Sequence, residues 1–266
     1  KADEILLGNF ESRRDILTDI VDVSEDSGCR IRIVQEKDDV YSRHLDVHQF
    51  GPFRVFSVRE EPLSQTPAKL FKRIFDVVFS TLVLLFIYWW IHAIVWLLIK
   101  ISSKGPIFFK QKRVGRGGQE FYCLKFRTMS MNGSDKEGHG GITKLDDNRI
   151  TSLGAFLRKT NIDELPQFLN VLSGDMSVIG PRPHMIEEDH TVAEKLRKYR
   201  IRRFVRPGIS GWAQINGFRG GTEDMELMQK RVDYDIDYIE SWTPLLDLKI
   251  IWHTILQMLT LKTGAH

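Results

Sequence analysis

The sequence predicts an α+β protein, mostly helical and attached to a membrane by a hydrophobic helix, with part of a doubly wound α/β domain before that helix. The first observation is an uncharged run from Val77 to Ile99, long enough for a helix to cross the hydrocarbon core of a bilayer. The second is the order strand, helix, strand before the run, which is typical of doubly wound domains. The third is a series of segments with helical spacing of apolar residues after it.

Residues 1–60 are predicted to form the C-terminal part of the α/β domain. The predicted strands are Glu4 to Leu7, Arg30 to Val34 and Arg54 to Val58, with a helix from Glu11 to Val23. No Gly-rich phosphate loop follows the first strand, so we expect no nucleotide binding in this part. The chain opens at Lys1 directly before a strand, so we expect it to be part of a longer protein. Residues 61–68, which contain Pro62 and Pro67, form the predicted linker.

The membrane helix is predicted over residues 69–103, with basic residues at both ends. Lys69, Lys72 and Arg73 precede the apolar run, and Lys100 and Lys104 follow it. Basic flanks mark the cytoplasmic side of a membrane segment. Two basic flanks therefore favour a re-entrant helix whose ends both lie on that face. A signal anchor that crosses once is the alternative.

Residues 104–266 are predicted to form the main domain. A hairpin of Ile107 to Val114 and Glu120 to Phe126 opens it, and the loop 132–141 is predicted to be mobile. The predicted helices are Leu153 to Lys159, Asp163 to Leu172, Met185 to Arg203 and Leu245 to Leu261. The last of these has apolar residues near helical spacing, which fits either a helix in the membrane interface or core packing.

Asp163 and Glu164 are the candidate catalytic pair. Asn161, or Asp163 itself, is a suitable helix N-cap, and Pro166 is tolerated in the first turn. We therefore expect both carboxylates at a helix start, where the dipole and free N–H groups favour anions. One carboxylate could attack phosphorus while the other holds Mg²⁺. For this dipeptide alone, a capping box without chemistry is the alternative.

Four basic residues are the candidate ligands of substrate phosphate. Arg158 lies a little more than one helical turn before Asp163. Arg182 stands between two prolines, which restrict its backbone and suit a bidentate grip on phosphate. Lys125 and Arg127 lie on one predicted strand. Cations beside a carboxylate pair indicate phosphoryl transfer.

Several sequence blocks resemble those of the bacterial sugar transferases, the polyprenyl-phosphate hexose-1-phosphate transferases. In the family's order they are KRIFDVVFS, GPIFFKQKRVG, LKFRTM, LRKTNIDELPQFLNVLSGDMSVIGPRP and VRPGISGWAQINGFRG. They extend from about Lys69 to the C-terminus and look closest to the larger undecaprenyl-phosphate glucose phosphotransferase type. Residues 1–60 resemble the end of the Rossmann-like domain that precedes the catalytic part in these larger members, where it would be regulatory or structural.

The resemblance implies an activity and a set of roles. Asp163 would be the nucleophile, and Glu164 would assist through Mg²⁺, so that both carboxylates form the metal site. The phosphate-gripping cations fall on Lys125, Arg158 and Arg182. A sugar 1-phosphate would pass from a UDP-sugar to undecaprenyl phosphate through an aspartyl-phosphosugar, with release of UMP. This would be the first membrane step of exopolysaccharide, capsule or O-antigen assembly, on the cytoplasmic face of the inner membrane.

One position departs from the family's pattern. The family's membrane helix usually breaks at a Ser-Pro in its middle, where this chain has Tyr88 and Trp89. No proline lies between Pro67 and Pro106. Proline kinks a helix, so here the prediction of a re-entrant course rests on the basic flanks.

Three further features carry weaker predictions. Seven basic residues and no acid lie between Lys195 and Arg206, which indicates an anionic partner or a solvated helix face. Next to a membrane segment this favours lipid headgroups, so no nucleic-acid partner is expected. His184 and His190 are expected on a helix surface. A solvated surface is also expected for the acidic cluster of Asp233, Asp235, Asp237 and Glu240.

Two other functions stay open at this point. The chain could be a non-catalytic, membrane-tethered scaffold of a polysaccharide assembly complex. It could also be a lipid-phosphate hydrolase that uses the same aspartyl intermediate. The sequence does not indicate which sugar is carried, and the preceding domain is compatible with a homodimer.

Overall fold

The computed structural model describes residues 4–8, 14–35, 46–50, 53–57, 59, 61–130, 147, 149–219 and 224–260. The predicted mobile loop 132–141 lies outside these residues. The N-terminal part consists of β1 (Glu4–Gly8), α1 (Arg14–Ser27), β2 (Arg30–Gln35), β3 (Asp46–Phe50) and β4 (Phe53–Ser57).

These strands form one sheet in the order β1-β2-β4-β3. β1 and β2 are parallel and joined through α1, as a strand-helix-strand unit requires. β3, which the sequence did not reveal, pairs with β4 in an antiparallel hairpin, and β4 is antiparallel to β2. The assignment of this part to a Rossmann-like domain stays a prediction.

The long apolar helix begins inside the predicted linker. A short 3₁₀ turn, Pro62–Ser64, leads into α2 (Thr66–Val83), in which Pro67 lies in the first turn, where no backbone N–H is needed. α2 continues through a π-helical turn, Leu84–Tyr88, into α3 (Trp89–Ser102).

Together α2, the π turn and α3 form one helix, Thr66–Ser102, of 37 residues with a mean hydropathy of 2.4 in its most apolar window. Within the described part of the chain it is the helix that is long and apolar enough to cross a membrane. The helix does not break at Tyr88 and Trp89. It is only wider over the π turn, Leu84–Tyr88, that comes just before Trp89. The prediction of a mostly helical protein with a long apolar helix is confirmed, whereas its re-entrant course stays a prediction.

One face of this apolar helix packs on the rest of the protein along its length. Buried positions recur every one or two turns, at Lys72, Asp76, Ser80, Tyr88, Val95 and Ile99. Tyr88 stacks on Phe126 with ring centroids 6.1 Å apart, and His92 stacks on Phe108 at 5.5 Å. The apolar helix therefore lies directly against the hairpin that follows it.

The main domain begins with that hairpin, β5 (Phe108–Val114) and β6 (Glu120–Phe126), which is antiparallel as predicted. The later elements are α4 (Ser152–Lys159), α5 (Gln167–Ser173), β7 (Ser177–Ile179), α6 (Ile186–Lys195), β8 (Gly208–Ser210), α7 (Trp212–Ile215), α8 (Met225–Ser241) and α9 (Pro244–Leu259). The single helix predicted from Met185 to Arg203 is wrong. Leu196 is extended and Lys198 has a left-handed φ of 62°, so α6 ends and a separate 3₁₀ turn, Tyr199–Phe204, follows.

The largest core lies between the parallel pair β7 and β8 and the helices α8 and α9. Its fully buried side chains include Ile179, Ile201, Ile239 and Ile250. A second core joins the apolar helix, the hairpin and α4 through Val95, Phe126 and Leu157, among others. The predicted catalytic pair lies between α4 and α5, next to this second core.

Candidate active site

A glycine brings α4 against the end of the hairpin. Thr151 caps α4, and its Oγ1 accepts a hydrogen bond from the backbone N–H of Gly154 at 2.9 Å. A Cβ on Gly154 would lie 1.9 Å from the carbonyl oxygen of Thr128, so a larger residue would push the two segments apart. This close approach lets Nε of Arg158 donate to Oγ1 of Thr128 at 2.9 Å. Arg158 is thereby fixed one turn before the candidate carboxylates.

The two carboxylates lie in a tight turn rather than in the first turn of a long helix. Asn161 has a left-handed φ of 56° and its side chain makes no cap. A 3₁₀ turn, Ile162–Glu164, follows, and Pro166 is the N-cap residue of α5. Asn161 therefore precedes a helical turn, as predicted, but its side chain does not cap that turn, and Asp163 is not an N-cap. Both carboxylates are instead buried, Asp163 with 6% and Glu164 with 5% of its surface exposed.

Glu164 is surrounded by three cations. Nζ of Lys125 and Nη2 of Arg182 each lie 2.8 Å from its Oε1, and Nη2 of Arg219 lies 3.3 Å from its Oε2. Burial alone would raise the pKa of Glu164, but Arg182, Lys125 and Arg219 outweigh it and hold that pKa well below its usual value. Glu164 is a carboxylate at any pH near neutrality.

Asp163 is in a different state from its neighbour. Within the part of the chain that the structure describes, its carboxylate has no hydrogen bond or ion pair. Burial raises the pKa of Asp163 to about 6, with Glu164 adding to the effect and Lys125 and the two nearby arginines opposing it. One carboxylate is thus neutralised by cations, and the other keeps its oxygens available for reaction.

The loop that carries Arg182 is held by its backbone. The carbonyl oxygen of Arg182 accepts a hydrogen bond from Nη2 of Arg202 at 2.7 Å, and that of Pro183 accepts one from Nη1 of Arg113 at 2.9 Å. Arg202 is in turn fixed by Asp235, with 2.7 Å between Nε and Oδ2. A side chain on such a loop loses little freedom when it binds an anion.

Arg127 is not brought to the carboxylates. Its guanidinium donates to the carbonyl oxygens of Ser103 at 2.8 Å and Lys104 at 3.0 Å, and to the Ser103 hydroxyl. Arg127 therefore ties the turn after the apolar helix to the end of β6. Its predicted role as a phosphate ligand has no support from these contacts, whereas Lys125, Arg158 and Arg182 all lie near the carboxylates.

The structure adds Arg219 to the predicted set. This residue belongs to the Gly-rich block near the end of the family's pattern, and 55 residues separate it from Glu164. The resemblance to the family assigns no phosphate-binding role to a residue of that block. A basic residue flanked by glycines was the available signal, but nothing in the sequence indicates which carboxylate it meets.

Two surface predictions are wrong. His184 is 2% exposed, and its Nδ1 lies 2.7 Å from the hydroxyl of Tyr199. Burial, together with nearby arginines, lowers the pKa of His184 well below its usual value, so the ring is neutral. Asp235 is 1% exposed and paired with Arg202, so it does not belong to a solvated acidic surface.

Most cations of the segment 195–206 are already bound within the chain. Arg197 pairs with Asp22 at 2.9 Å and Lys198 with Glu25 at 3.1 Å, both in α1. Others bind Asp235, Asp189 and the carbonyl oxygen of Gly174. The segment therefore holds the N-terminal part against the main domain, and it has fewer cations available for lipid than its sequence suggests.

The carboxylates of the site could hold Mg²⁺ only together with ligands from the substrate and water. Among the described residues no three His, Cys, Asp or Glu side chains cluster to hold a metal by themselves. Mg²⁺ is usually bound by one or two carboxylates together with substrate phosphates and water. Asp163 has oxygens available for such a bond, whereas both oxygens of Glu164 already contact Lys125, Arg182 or Arg219, so Glu164 could bind the ion only in exchange for one of these cations.

The chain matches known proteins over most of its length. The profile of a family described as "Bacterial sugar transferase" matches residues 67–261. A UDP-glucose:undecaprenyl-phosphate glucose-1-phosphate transferase of Escherichia coli K12 is 39% identical over 232 residues, which are 86% of this chain and 49% of the relative. A protein of the same name from Caulobacter vibrioides is 43% identical, over 75% of this chain and 73% of the relative.

A third relative is the exopolysaccharide production protein PSS of Rhizobium leguminosarum bv. phaseoli. It is 40% identical, over 73% of this chain and 97% of its own length. By contrast, the chain spans half or less of the length of several relatives, 49% of the Escherichia coli protein and 34% of one from Xanthomonas campestris.

Proposed function

Because the chain belongs to the bacterial sugar transferase family, we propose that it transfers a sugar 1-phosphate from a UDP-sugar to undecaprenyl phosphate, with release of UMP. The observation that carries this proposal is the contrast between the two buried carboxylates. Glu164 is neutralised by three cations, whereas Asp163 has no partner among the described residues and is available as a nucleophile. The names of the relatives support the substrates.

The first half-reaction forms a covalent intermediate. An oxygen of Asp163 attacks the phosphorus that bears the sugar, and the bond from that phosphorus to the bridging oxygen breaks. UMP leaves with the bridging oxygen, and the sugar phosphate stays on Asp163 as a mixed anhydride. The attacking group must be a carboxylate, so the raised pKa of Asp163 sets the lower pH limit of this step.

The second half-reaction regenerates the enzyme. A phosphate oxygen of undecaprenyl phosphate attacks the same phosphorus, and the bond to Asp163 breaks. The products are undecaprenyl-diphospho-sugar and the free carboxylate. In both halves Lys125, Arg158 and Arg182 stabilise the negative charge on the transferring phosphate. Both Nη groups of Arg158 are without a hydrogen bond among the described residues, so they can bind oxygen.

Mg²⁺ is part of the proposal. Glu164 and Asp163, together with phosphate oxygens of the substrate, would hold the ion. When bound, it screens phosphate charge from the attacking carboxylate and stabilises the leaving group.

The same proposal gives the place of the reaction. The apolar helix would anchor the chain at the cytoplasmic face of the inner membrane and so present Asp163 to lipid-linked phosphate. The helix is continuous from Thr66 to Ser102, so a re-entrant course with both ends on that face would require it to bend in the membrane, and the π turn Leu84–Tyr88 is the place for such a bend. The reaction would then be the first membrane step of exopolysaccharide, capsule or O-antigen assembly. Arg127 supports this placement because it ties the end of the apolar helix to β6, which also carries Lys125.

UMP release by the purified protein tests the proposal. The assay would use a panel of UDP-sugars, with and without undecaprenyl phosphate, and with Mg²⁺ or EDTA. Asp163→Asn is expected to abolish release, and Asp233→Asn, on an exposed position of α8, is the matched control that keeps it. Sustained release that needs lipid, Mg²⁺ and Asp163 is the expected result, and the sugar that supports it is the substrate.

The alternatives give different time courses. Without undecaprenyl phosphate, a transferase with a covalent intermediate releases UMP once per active site and then stops. A hydrolase continues without lipid, because water takes the phosphosugar. A scaffold releases no UMP with any sugar while it stays folded, and that outcome would overturn the proposed activity.

A further inference from the structure

The start of the apolar helix is polar on its inner face and apolar on its outer face. Lys72, Asp76 and Ser80 point inward and are at most 7% exposed. Phe71 and Ile74, on the opposite face, are 52% and 55% exposed. This is the reverse of a helix on the surface of a soluble domain, which turns its apolar face to the core.

α9 also combines an apolar outer face with a buried acid, although its inner face includes the apolar Ile250 as well. Asp247, the one acidic residue of α9, is 3% exposed and points inward. The outer face of α9, by which we mean its exposed apolar side chains, consists of Leu245, Leu248, Trp252, Ile255, Leu256 and Leu259, each at least 40% exposed. Other exposed residues of α9 include Lys249 and His253, and no acid is exposed on it.

The two helices share one buried polar network. Nζ of Lys72 lies 2.6 Å from Oδ2 of Asp247. The hydroxyl of Tyr238 donates to Oδ1 of Asp247 at 2.8 Å, and Nε1 of Trp242 donates to its Oδ2 at 3.2 Å. The charges of both helices thus meet on the core side, which leaves two apolar surfaces on the outside of the same core.

We propose that the outer face of α9 lies in the lipid bilayer beside the apolar helix, as a second membrane-contacting element. Three observations favour lipid as the occupant. The Lys72–Asp247 contact places α9 beside the helix that has the composition of a membrane segment. The exposed charged residue of α9 is the cation Lys249, which suits anionic headgroups. Trp252 is a side chain typical of the membrane interface.

This inference rests on the membrane attachment proposed above and not on the chemistry of Asp163. It predicts that α9 lies along the membrane surface, since an amphipathic helix buries its apolar face at the boundary between headgroups and acyl chains.

Quenching of tryptophan fluorescence by brominated phospholipid tests the inference. The protein would be placed in vesicles of phosphatidylethanolamine and phosphatidylglycerol, with and without bromine on the acyl chains. The chain has six tryptophans, so the signal of Trp252 is the difference between the parent protein and Trp252→Phe. The matched control adds Lys230→Trp to Trp252→Phe, because Lys230 is exposed on the polar helix α8, about 17 Å along that helix from its end near α9.

The expected result is that brominated lipid removes most of the Trp252 emission and little of the emission from position 230. No quenching of Trp252 would overturn the inference, as would equal quenching at both positions. If a second copy of the chain covered the outer face instead, Trp252 would be insensitive to bromine and Leu248→Glu would convert a dimer to monomers. UMP release by Trp252→Phe is expected to be unchanged, so a failure of the proposed activity is seen separately.

Discussion

Replacing Asp163 by asparagine is expected to stabilise the protein while it abolishes the reaction. Burial raises the pKa of Asp163 from 3.8 to about 6. Each pKa unit corresponds to about 1.4 kcal/mol, so a shift of this size amounts to about 3 kcal/mol. The folded-state pKa lies above the unfolded one, so the contribution to stability is fully present below pH 3.8 and is lost as the pH rises through about 6. Asparagine carries no charge and avoids this loss.

Thermal unfolding of detergent-solubilised protein between pH 4 and pH 8 measures the effect. At pH 8 Asp163→Asn should unfold at a higher temperature, by up to roughly 6 to 12 °C for a chain of this size. Near pH 4 the two proteins should unfold at nearly the same temperature. The difference should appear as the pH passes through the range in which Asp163 ionises.

Glu164→Gln is the matched control, with the opposite sign. It leaves Lys125, Arg182 and Arg219 buried around a neutral group, and loss of one partner of a buried ion pair destabilises by about 3 to 5 kcal/mol. An unfolding temperature of Asp163→Asn at or below that of the parent at pH 8 would refute a destabilising charge at Asp163. A change of stability in the same direction for Asp163→Asn and Glu164→Gln would refute it as well.

Three further results are expected. UMP release should fall as the pH drops below about 6, because Asp163 must be ionised to attack; a flat profile from pH 5 to pH 8 would contradict this. Lys72→Met should destabilise by about 3 to 5 kcal/mol in thermal unfolding, because the buried carboxylates of Asp247 and Asp76 both lose their counter-charge; an unfolding temperature equal to that of the parent would contradict this. Asp235→Asn should leave Arg202 uncompensated, lowering both the unfolding temperature and kcat, with KM for the UDP-sugar changed less.

Local patterns in the sequence were sufficient for much of the fold. The uncharged run predicted the apolar helix, and the Gly-rich turn between two short segments predicted the hairpin of β5 and β6 to within a residue. The end of α6 was missed, because the basic stretch after it has good helix formers and no glycine or proline. Lys198 takes a left-handed backbone there because tertiary contacts with α1 outweigh helix propensity.

The sequence predicted which residue types form the site, but not which of them contact one another. Asp163 and Glu164 were identified, but their difference depends on which cations surround each one. Arg219 reaches Glu164 across 55 residues, and Arg127 turns to Ser103 instead. Helical spacing predicts the burial of Asp235, since Met228, Arg231 and Val232 lie on the same face of α8 and are buried with it.

The contact between Lys72 and Asp247 also has a consequence for the order of synthesis. The two residues are 175 positions apart, so the apolar helix leaves the ribosome long before its partner in α9 exists. Asp76, one turn after Lys72 and 3.6 Å from it, is available from the start as a counter-charge. The nascent helix thus has its own counter-charge for Lys72 before α9 is made, and Asp247 completes the network only after the rest of the chain has been synthesised.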